Sequence, residues 1–185
     1  RQICVDYGLE IFSICGEVGG FGFRNVTENI EKVTRTLRNL DLALELGCNI
    51  VTSHIGVVQT SSHSSSRHAQ LDALHLIGEE AHKRGAYFAV ETGPEKGSIL
   101  REFLVELNSP GIKVNLDPGN MVMVTGENPV ETVRTLAPWL IHTHVKDGKH
   151  LQDCDPETVY QAFATGGLRQ LIAQSGTLFS ETRVG

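Results

Sequence analysis

Short apolar runs alternate with amphipathic helical patterns along this sequence, and that alternation constrains its fold more than any other feature. The runs are rich in β-branched and aromatic residues, and we predict strands over 9–15, 49–53, 86–90, 112–116, 140–145 and 177–180. Strands that alternate with helices run parallel and are joined by right-handed crossovers. The fold class is therefore α/β, and the pattern alone fits either an open doubly wound sheet or a closed (β/α)8 barrel.

The helical patterns carry apolar residues at three- and four-residue steps, which form the buried stripe of an amphipathic helix. In the helix predicted over 27–46, we expect Thr27 to cap the start and Gly47 to cap the end. The expected stripe of this helix consists of Ile30, Val33, Leu37, Leu40 and Leu44. The same pattern predicts further helices over 67–84 and 97–108.

Five of the predicted strands end on a residue that can bind a metal ion, namely His54, Glu91, Asp117, His144 and Glu181. Buried carboxylates are costly unless they are paired or bind a cation. Since the carboxyl ends of parallel strands meet at one edge, we expect these side chains to converge on a single cation. Three carboxylates and one imidazole favour Mn²⁺ or Mg²⁺, and Co²⁺ or Zn²⁺ would also be accepted.

Four segments at the strand ends carry motifs that fit together in order along the chain. They are 90–95 (VETGPE), 114–120 (VNLDPGN), 142–148 (HTHVKDG) and 181–185 (ETRVG). Together they resemble the xylose isomerase-like TIM-barrel superfamily of sugar and sugar phosphate isomerases and epimerases. The resemblance spans residues 9–185 and implies a (β/α)8 TIM barrel.

The resemblance implies a divalent metal ion held by Glu91, Asp117, His144 and Glu181, with Glu91 and Glu181 also acting as the catalytic proton-transfer groups. The implied reaction is isomerisation or epimerisation of a sugar, sugar phosphate or keto-polyol through an enediolate intermediate. A dehydratase or lyase acting on an inosose-like polyol is the alternative, because it begins with the same proton abstraction. An endonuclease acting at abasic DNA and a non-catalytic sugar-binding barrel are further options.

The chain departs from a full barrel of this kind in its length. It has 185 residues, whereas such a barrel usually needs about 250. We expect one domain over 1–185 that covers strands two to eight, with strand one and the last helix missing. Strand seven is not evident over 149–170, so 149–176 is either contiguous without that strand or lacks segments.

Five residues are candidates for substrate binding: His54, Asn120, His142, Lys146 and Arg183. Most of them also have a structural interpretation. His54 could only support the fold, His142 could orient a neighbouring ligand or pack in the core, and Lys146 and Arg183 could form ion pairs. Asn120 stands where some epimerases of the superfamily carry a substrate-binding histidine.

Composition excludes several classes of partner. The formal net charge is −6 and no basic stripe is visible, so we expect no nucleic-acid partner. No apolar run is long enough for a membrane helix, and the first residues do not form a signal peptide. The four dispersed cysteines are typical of reduced thiols in a cytoplasmic protein, and the resemblance suggests a homodimer or tetramer. The segment 19–22 is expected to be an active-site loop or a turn.

Overall fold

The computed structural model describes residues 1–19 and 22–185, so Gly20 and Phe21 of the glycine-rich segment lie outside the described residues. Five parallel strands form one sheet in the order β1-β2-β3-β4-β5. The strands are β1 (Ile14–Cys15), β2 (Ile50–Ser53), β3 (Tyr87–Glu91), β4 (Ile112–Leu116) and β5 (Leu140–Thr143). Each strand pairs with the next along the chain, which confirms the predicted α/β class.

Helices connect the strands and cover the sheet. In chain order they are α1 (Gln2–Asp6), α2 (Val26–Leu46), α3 (Ser65–Lys83), α4 (Gly97–Leu107), the short α5 (Pro118–Asn120), a π-helical turn (Met121–Thr125) and α6 (Pro129–Leu136). The main core lies between helices and sheet, where the buried side chains of Leu74, Phe88 and Phe103 are packed. This layered packing leaves the carboxyl ends of the strands open as a binding edge.

The long helix α2 begins and packs differently from the prediction. Asn25, not Thr27, caps its start, because the Asn25 side chain accepts hydrogen bonds from two backbone N–H groups of the first turn. Ile30 is 74% exposed and Leu44 is 38% exposed, so these two residues do not belong to the buried face. The buried face instead includes Asn29, whose amide donates to the carbonyl oxygens of Phe23 and Ala69. Of the predicted stripe, only Leu40 is among the buried residues of α2.

The last strand runs in a direction that strand–helix alternation does not predict. β6 (Asp147–His150) and β7 (Phe179–Thr182) form a separate antiparallel pair, in which Gly148 faces Glu181. Between them lie α7 (Pro156–Thr165) and α8 (Leu168–Ser175), where a seventh barrel strand would otherwise stand. A small second core of Val124, Val159 and Leu178 lies beneath this segment.

Two further expectations concern the whole chain. All four cysteines are free thiols, as expected from their spacing. Within the described part of the chain, no helix combines the length and hydropathy that a membrane span requires. The assignment of 1–185 to one domain stays a prediction.

Candidate metal centre

The carboxyl ends of β3, β4 and β5 bring together Glu91, Asp117 and His144. Glu91 is the last residue of β3, whereas Asp117 directly follows β4 and His144 directly follows β5. One ligand atom from each residue lies within 4.8 Å of the other two. The Nδ1 atom of His144 is 3.2 Å from Oδ2 of Asp117 and 3.4 Å from Oε1 of Glu91. These three predicted ligands therefore meet at one point.

Asp117 is held rigidly at the centre of this group. Its side chain is 1% exposed. The hydroxyl of Thr92 accepts the backbone N–H of Asp117 over 2.8 Å, and the carboxylate accepts the backbone N–H of Asn120 over 2.8 Å. The second carboxylate oxygen is left facing His144 and the ammonium of Lys146, which lies 3.4 Å away. A buried carboxylate held in this way presents a fixed oxygen to a cation.

Asn115 connects the ligands and was not singled out as a site residue by sequence reasoning. Its side chain is fully buried on β4, and Nδ2 lies 3.4 Å from Oε2 of Glu91 and 3.2 Å from Nε2 of His144. Its Oδ1 lies 2.7 Å from Nδ1 of His142. A buried side-chain amide needs hydrogen-bond partners for its N–H groups and for its oxygen. The signal in the sequence was therefore the presence of an asparagine inside a predicted buried strand. His142 therefore contacts a residue that touches two of the candidate ligands, and its role in orienting them stays a prediction.

Gly93 allows the backbone to pass close to the site. Its φ is +148° and a Cβ atom there would lie 2.6 Å from Cβ of Asn120 and 2.9 Å from the Tyr160 hydroxyl. Such distances are shorter than real Cβ contacts. The glycine of the 90–95 motif therefore lets Asn120 and Tyr160 approach the end of β3.

A cavity of about 640 Å³ opens beside this cluster of candidate ligands, since Glu91 lines it. Of the predicted residues, its lining includes Glu91, His54, Asn120, Lys146 and Glu181. His142 and Arg183 lie outside the lining as it is described, and Arg183 is exposed. Gly19 and Gly22 line the cavity, so the described ends of the glycine-rich segment lie at the site.

Glu181 is separated from the three clustered ligands. Its side chain is 67% exposed, and its Oε2 lies 3.8 Å from Nζ of Lys146. The same ammonium donates to Oδ1 of Asn120 over 2.8 Å and lies 3.4 Å from Oδ2 of Asp117. Lys146 therefore bridges Glu181 to the metal centre, and the role of Glu181 as a fourth ligand stays a prediction.

Burial and the neighbouring imidazoles shift the pKa of Glu91 in opposite directions. Burial raises the pKa of the Glu91 carboxyl, whereas the nearby imidazoles of His54 and His144 lower it. Nε2 of His54 lies 3.6 Å from Oε1 of Glu91. Burial also lowers the pKa of His142, with a further contribution from His144. The carboxylate at the end of β3 is thus partly desolvated beside two imidazole rings.

Two further titratable residues near the cavity were missed by sequence reasoning. Tyr160 on α7 lines the cavity with its ring 5.6 Å from that of His54, and burial raises the pKa of its phenol well above the usual range. Glu95 is buried, and burial raises the pKa of its carboxyl to about 8. Tyr160 lies where no helix was predicted, and Glu95 follows the proline of the motif at 90–95, so neither position carried a periodic signal.

The chemistry of the donor set fits a divalent cation. Two carboxylates and one imidazole nitrogen are typical ligands for hard divalent ions that keep open positions for substrate oxygens. The buried Asp117 carboxylate lies in one cluster with the Glu91 carboxylate, and a cation between them would offset the repulsion of the two acids. The candidate ligands are therefore Glu91, Asp117 and His144.

The chain matches the family model described as xylose isomerase-like TIM barrel over residues 1–164. It is 30% identical over 104 residues to a 3-dehydroshikimate dehydratase from Bacillus anthracis, a match that covers 52% of this chain and 36% of that protein. The chain thus spans about a third of the length of this curated relative.

Solved structures share the fold. A xylose isomerase domain protein from Planctomyces limnophilus superposes with a TM-score of 0.78 at 23% identity, covering 100% of this chain and 64% of that one. The apo form of 3-keto-D-glucoside 4-epimerase from E. coli gives a TM-score of 0.66 at 17% identity, covering 79% of this chain and 62% of that one. The chain spans less than two thirds of the length of either structure.

Proposed function

The chain belongs to the xylose isomerase-like TIM barrel family, and we propose that it is a divalent-metal-dependent isomerase or epimerase of a sugar, sugar phosphate or keto-polyol. The observation that carries this proposal is the meeting of Glu91, Asp117 and His144 within 4.8 Å at the carboxyl ends of three parallel strands. Catalytic groups in barrels of this architecture lie at that edge. The adjoining cavity of about 640 Å³ is large enough for a small sugar.

Glu91, Asp117 and His144 would hold the cation, with Glu181 as the proposed fourth ligand. We favour Mn²⁺ or Mg²⁺, because oxygen-rich sites suit them, and Co²⁺ or Zn²⁺ also fit the donor set. When bound, the cation supplies Lewis acidity that polarises the carbonyl group of a substrate.

The residues of the chain itself move and hold the protons. Glu91 takes a proton from the carbon next to the carbonyl, and Glu181 returns one either to the opposite face of that carbon or to its neighbour. Return to the opposite face gives an epimer, and return to the neighbouring position gives an isomer. Both carboxylates line the same cavity, which is what two-sided proton transfer requires. Asn120, His54 and Lys146 line its wall and would bind hydroxyl groups of the substrate.

Dehydration is a second candidate, and the 30% identity to a 3-dehydroshikimate dehydratase favours it. The first step is the same proton abstraction by Glu91. The hydroxyl group on the next carbon then leaves as water and needs a proton donor. The ammonium of Lys146, which lies on the cavity wall, would supply that proton. Dehydration needs no proton transfer by Glu181, whose side chain is 67% exposed.

Solvent exchange in D₂O tests both candidates, because it detects proton abstraction whatever the product. The Mn²⁺-loaded protein is incubated with ketoses, inososes, sugar phosphates and 3-dehydroshikimate, and NMR follows deuterium uptake next to the carbonyl. Uptake without loss of water indicates isomerisation or epimerisation, and loss of one water indicates dehydration. Glu91→Gln should abolish turnover in either case. Glu181→Gln should abolish isomerisation or epimerisation, whereas it should slow dehydration only by weakening the binding of the cation.

Glu102→Gln, an exposed glutamate on α4, is the matched control and should behave as the parent protein. Uptake that survives Glu91→Gln unchanged would contradict the proposed proton transfer. Absence of exchange across the panel, together with absence of divalent-ion binding, would overturn the proposed function as a whole.

A further inference from the structure

Arg24 is a cation of the cavity that the metal centre does not use. It precedes α2, its side chain is 17% exposed, and it lines the same cavity as Glu91. A guanidinium that is largely buried needs an anionic partner, because a buried charge is costly when it is unpaired. Its present partner is Glu157 on α7, which it contacts through Nη1.

Among the hydrogen bonds of residues 1–19 and 22–185, none is made by the edge of the guanidinium formed by Nε and Nη2. Nε of Arg24 is buried and has no hydrogen-bond acceptor among residues 1–19 and 22–185. The contact with Glu157 uses Nη1, which lies on the opposite side of the guanidinium from the N–H of Nε. Nε–H and one Nη2–H point in the same direction and form the fork that binds carboxylates and phosphates through two parallel hydrogen bonds.

Glu157 is held in place independently of that edge. Its second carboxylate oxygen accepts a hydrogen bond from Nε2 of Gln59 over 3.2 Å, and its side chain is 38% exposed. Glu157 thus compensates the charge of Arg24 from one side, and the fork remains directed elsewhere. An anion that binds the fork competes only partly with this pair.

The other cations near the site are less suited to bind an anionic group. The ammonium of Lys146 already donates to Asn120 and lies between the carboxylates of Asp117 and Glu181. Arg183, the arginine that the sequence suggested for substrate binding, lies outside the described lining of the cavity. Arg24 therefore combines a position in the cavity with a hydrogen-bonding edge for which the described residues provide no partner.

We propose that the Nε–Nη2 edge of Arg24 binds the anionic group, a carboxylate or a phosphate, of the substrate. The substrate class is then a polyhydroxylated carbonyl compound that carries one such group at a distance from its reacting carbonyl. This inference rests on the proposed function for the position of the reacting carbonyl. Arg24 would act as a specificity residue, because it touches the substrate away from the atoms that react.

Anion binding to metal-free protein tests this role separately from catalysis. The protein is stripped of metal ions, transferred to chelator-free buffer at low salt, and titrated calorimetrically with inorganic phosphate, with D-gluconate and with the uncharged polyol D-glucitol. We expect one of the two anions to bind saturably and more tightly than D-glucitol. Tighter binding of phosphate assigns a phosphorylated substrate, and tighter binding of gluconate assigns a carboxylate.

Arg24→Gln should lower the affinity for the preferred anion by about tenfold or more, since it removes a charged bidentate contact. Arg101→Gln, an exposed arginine on α4, is the matched control and should leave binding unchanged. Glu157→Gln should tighten binding by about two- to fivefold, because a competing carboxylate is removed. This second variant acts in the opposite direction, so it remains informative if Arg24→Gln fails to fold.

Three results would overturn the inference: no anion binds better than D-glucitol, Arg24→Gln binds like the parent protein, or Arg183→Gln instead loses the anion. Binding of Mn²⁺ is measured on the same preparation. Failure to bind Mn²⁺ would count against the proposed function, and the anion-binding result could still be interpreted. Binding of Mn²⁺ without any anion would count only against the role of Arg24.

Discussion

The Nδ1 atom of His142 lies 2.7 Å from the Oδ1 atom of Asn115, and this contact connects a histidine outside the described cavity lining to the metal centre. The other end of the Asn115 amide reaches Glu91 and His144. The Nε2 atom of His142 is in turn 3.2 Å from the hydroxyl of Ser13. A chain of polar contacts therefore runs from the segment before β1 to the candidate ligands Glu91 and His144.

Asn115→Ala is expected to lower the affinity for Mn²⁺ by about 10–100-fold, which is typical when the residues that orient metal ligands are lost. The reason is that Glu91 and His144 lose the amide that holds them. Isothermal titration with Mn²⁺ measures the effect. Asn49→Ala, which changes an exposed asparagine, should leave the affinity unchanged. Equal affinities of both variants would show that Asn115 has no part in the site.

Mn²⁺ should raise the thermal unfolding midpoint, because an ion that binds only the folded chain stabilises it. At one hundred times the dissociation constant the gain is about 2.7 kcal/mol, or roughly 5–10 °C for a chain of this size. Asp117→Asn should remove most of the shift, and Asp72→Asn, an exposed aspartate on α3, should keep it. Thermal scans by circular dichroism with and without Mn²⁺ give the comparison. A full shift in Asp117→Asn would contradict the assignment of this ligand.

Glu95 should make stability depend on pH. Burial raises the pKa of its carboxyl to about 8 from an ordinary value of 4.5, so the folded state keeps a proton that the unfolded state releases. Below the pKa that Glu95 has in the unfolded state, its carboxyl is protonated in both states and no stability is lost. Between pH 4.5 and 8 the unfolded state ionises, and the folded chain loses up to about 1.4 kcal/mol per pH unit.

Glu95→Gln removes this loss, so the variant should gain stability relative to the parent protein as the pH rises from about 5 to 8. Its amide oxygen can still accept the backbone N–H of Val58, which donates to Glu95 over 3.3 Å. Urea unfolding at several pH values across that range measures the difference, with Glu102→Gln as the exposed control. A difference that is the same at every pH would show that Glu95 is ionised in the folded protein.

Gly93→Ala is expected to destabilise the fold by about 2–4 kcal/mol, because the new methyl group meets Asn120 and the φ of +148° suits only glycine. Gly166→Ala is the matched control. Its φ is +73° with nothing within 4 Å of a Cβ atom, so only the conformational cost of about 1 kcal/mol remains. Urea unfolding of the two variants compares them. Equal losses would mean that the close approach at Gly93 is unimportant.

The positions of Glu91 and Asp117 at the ends of buried strands could be predicted from the sequence, because strand periodicity is a local property. His144 could be predicted in the same way, although choosing it over His142 depended on the family motif. The cap of α2 was misassigned, because Asn25 and Thr27 are both capping residues and the backbone of the entering chain selects between them. The exposed positions of Ile30 and Leu44 depend likewise on which residues of other elements contact α2.

By itself, the sequence determined the α/β class, the parallel direction of five strands and the positions of Glu91 and Asp117 at strand ends, since each follows from short-range patterns of apolar and polar residues. Only the tertiary structure decided that β7 pairs antiparallel with β6 and leaves Glu181 beyond Lys146. It also brought Arg24 into the cavity beside Glu91, with no signal in the sequence. The physical reason is that strand pairing and cavity walls are set by contacts between residues far apart along the chain, and local periodicity carries no record of those contacts.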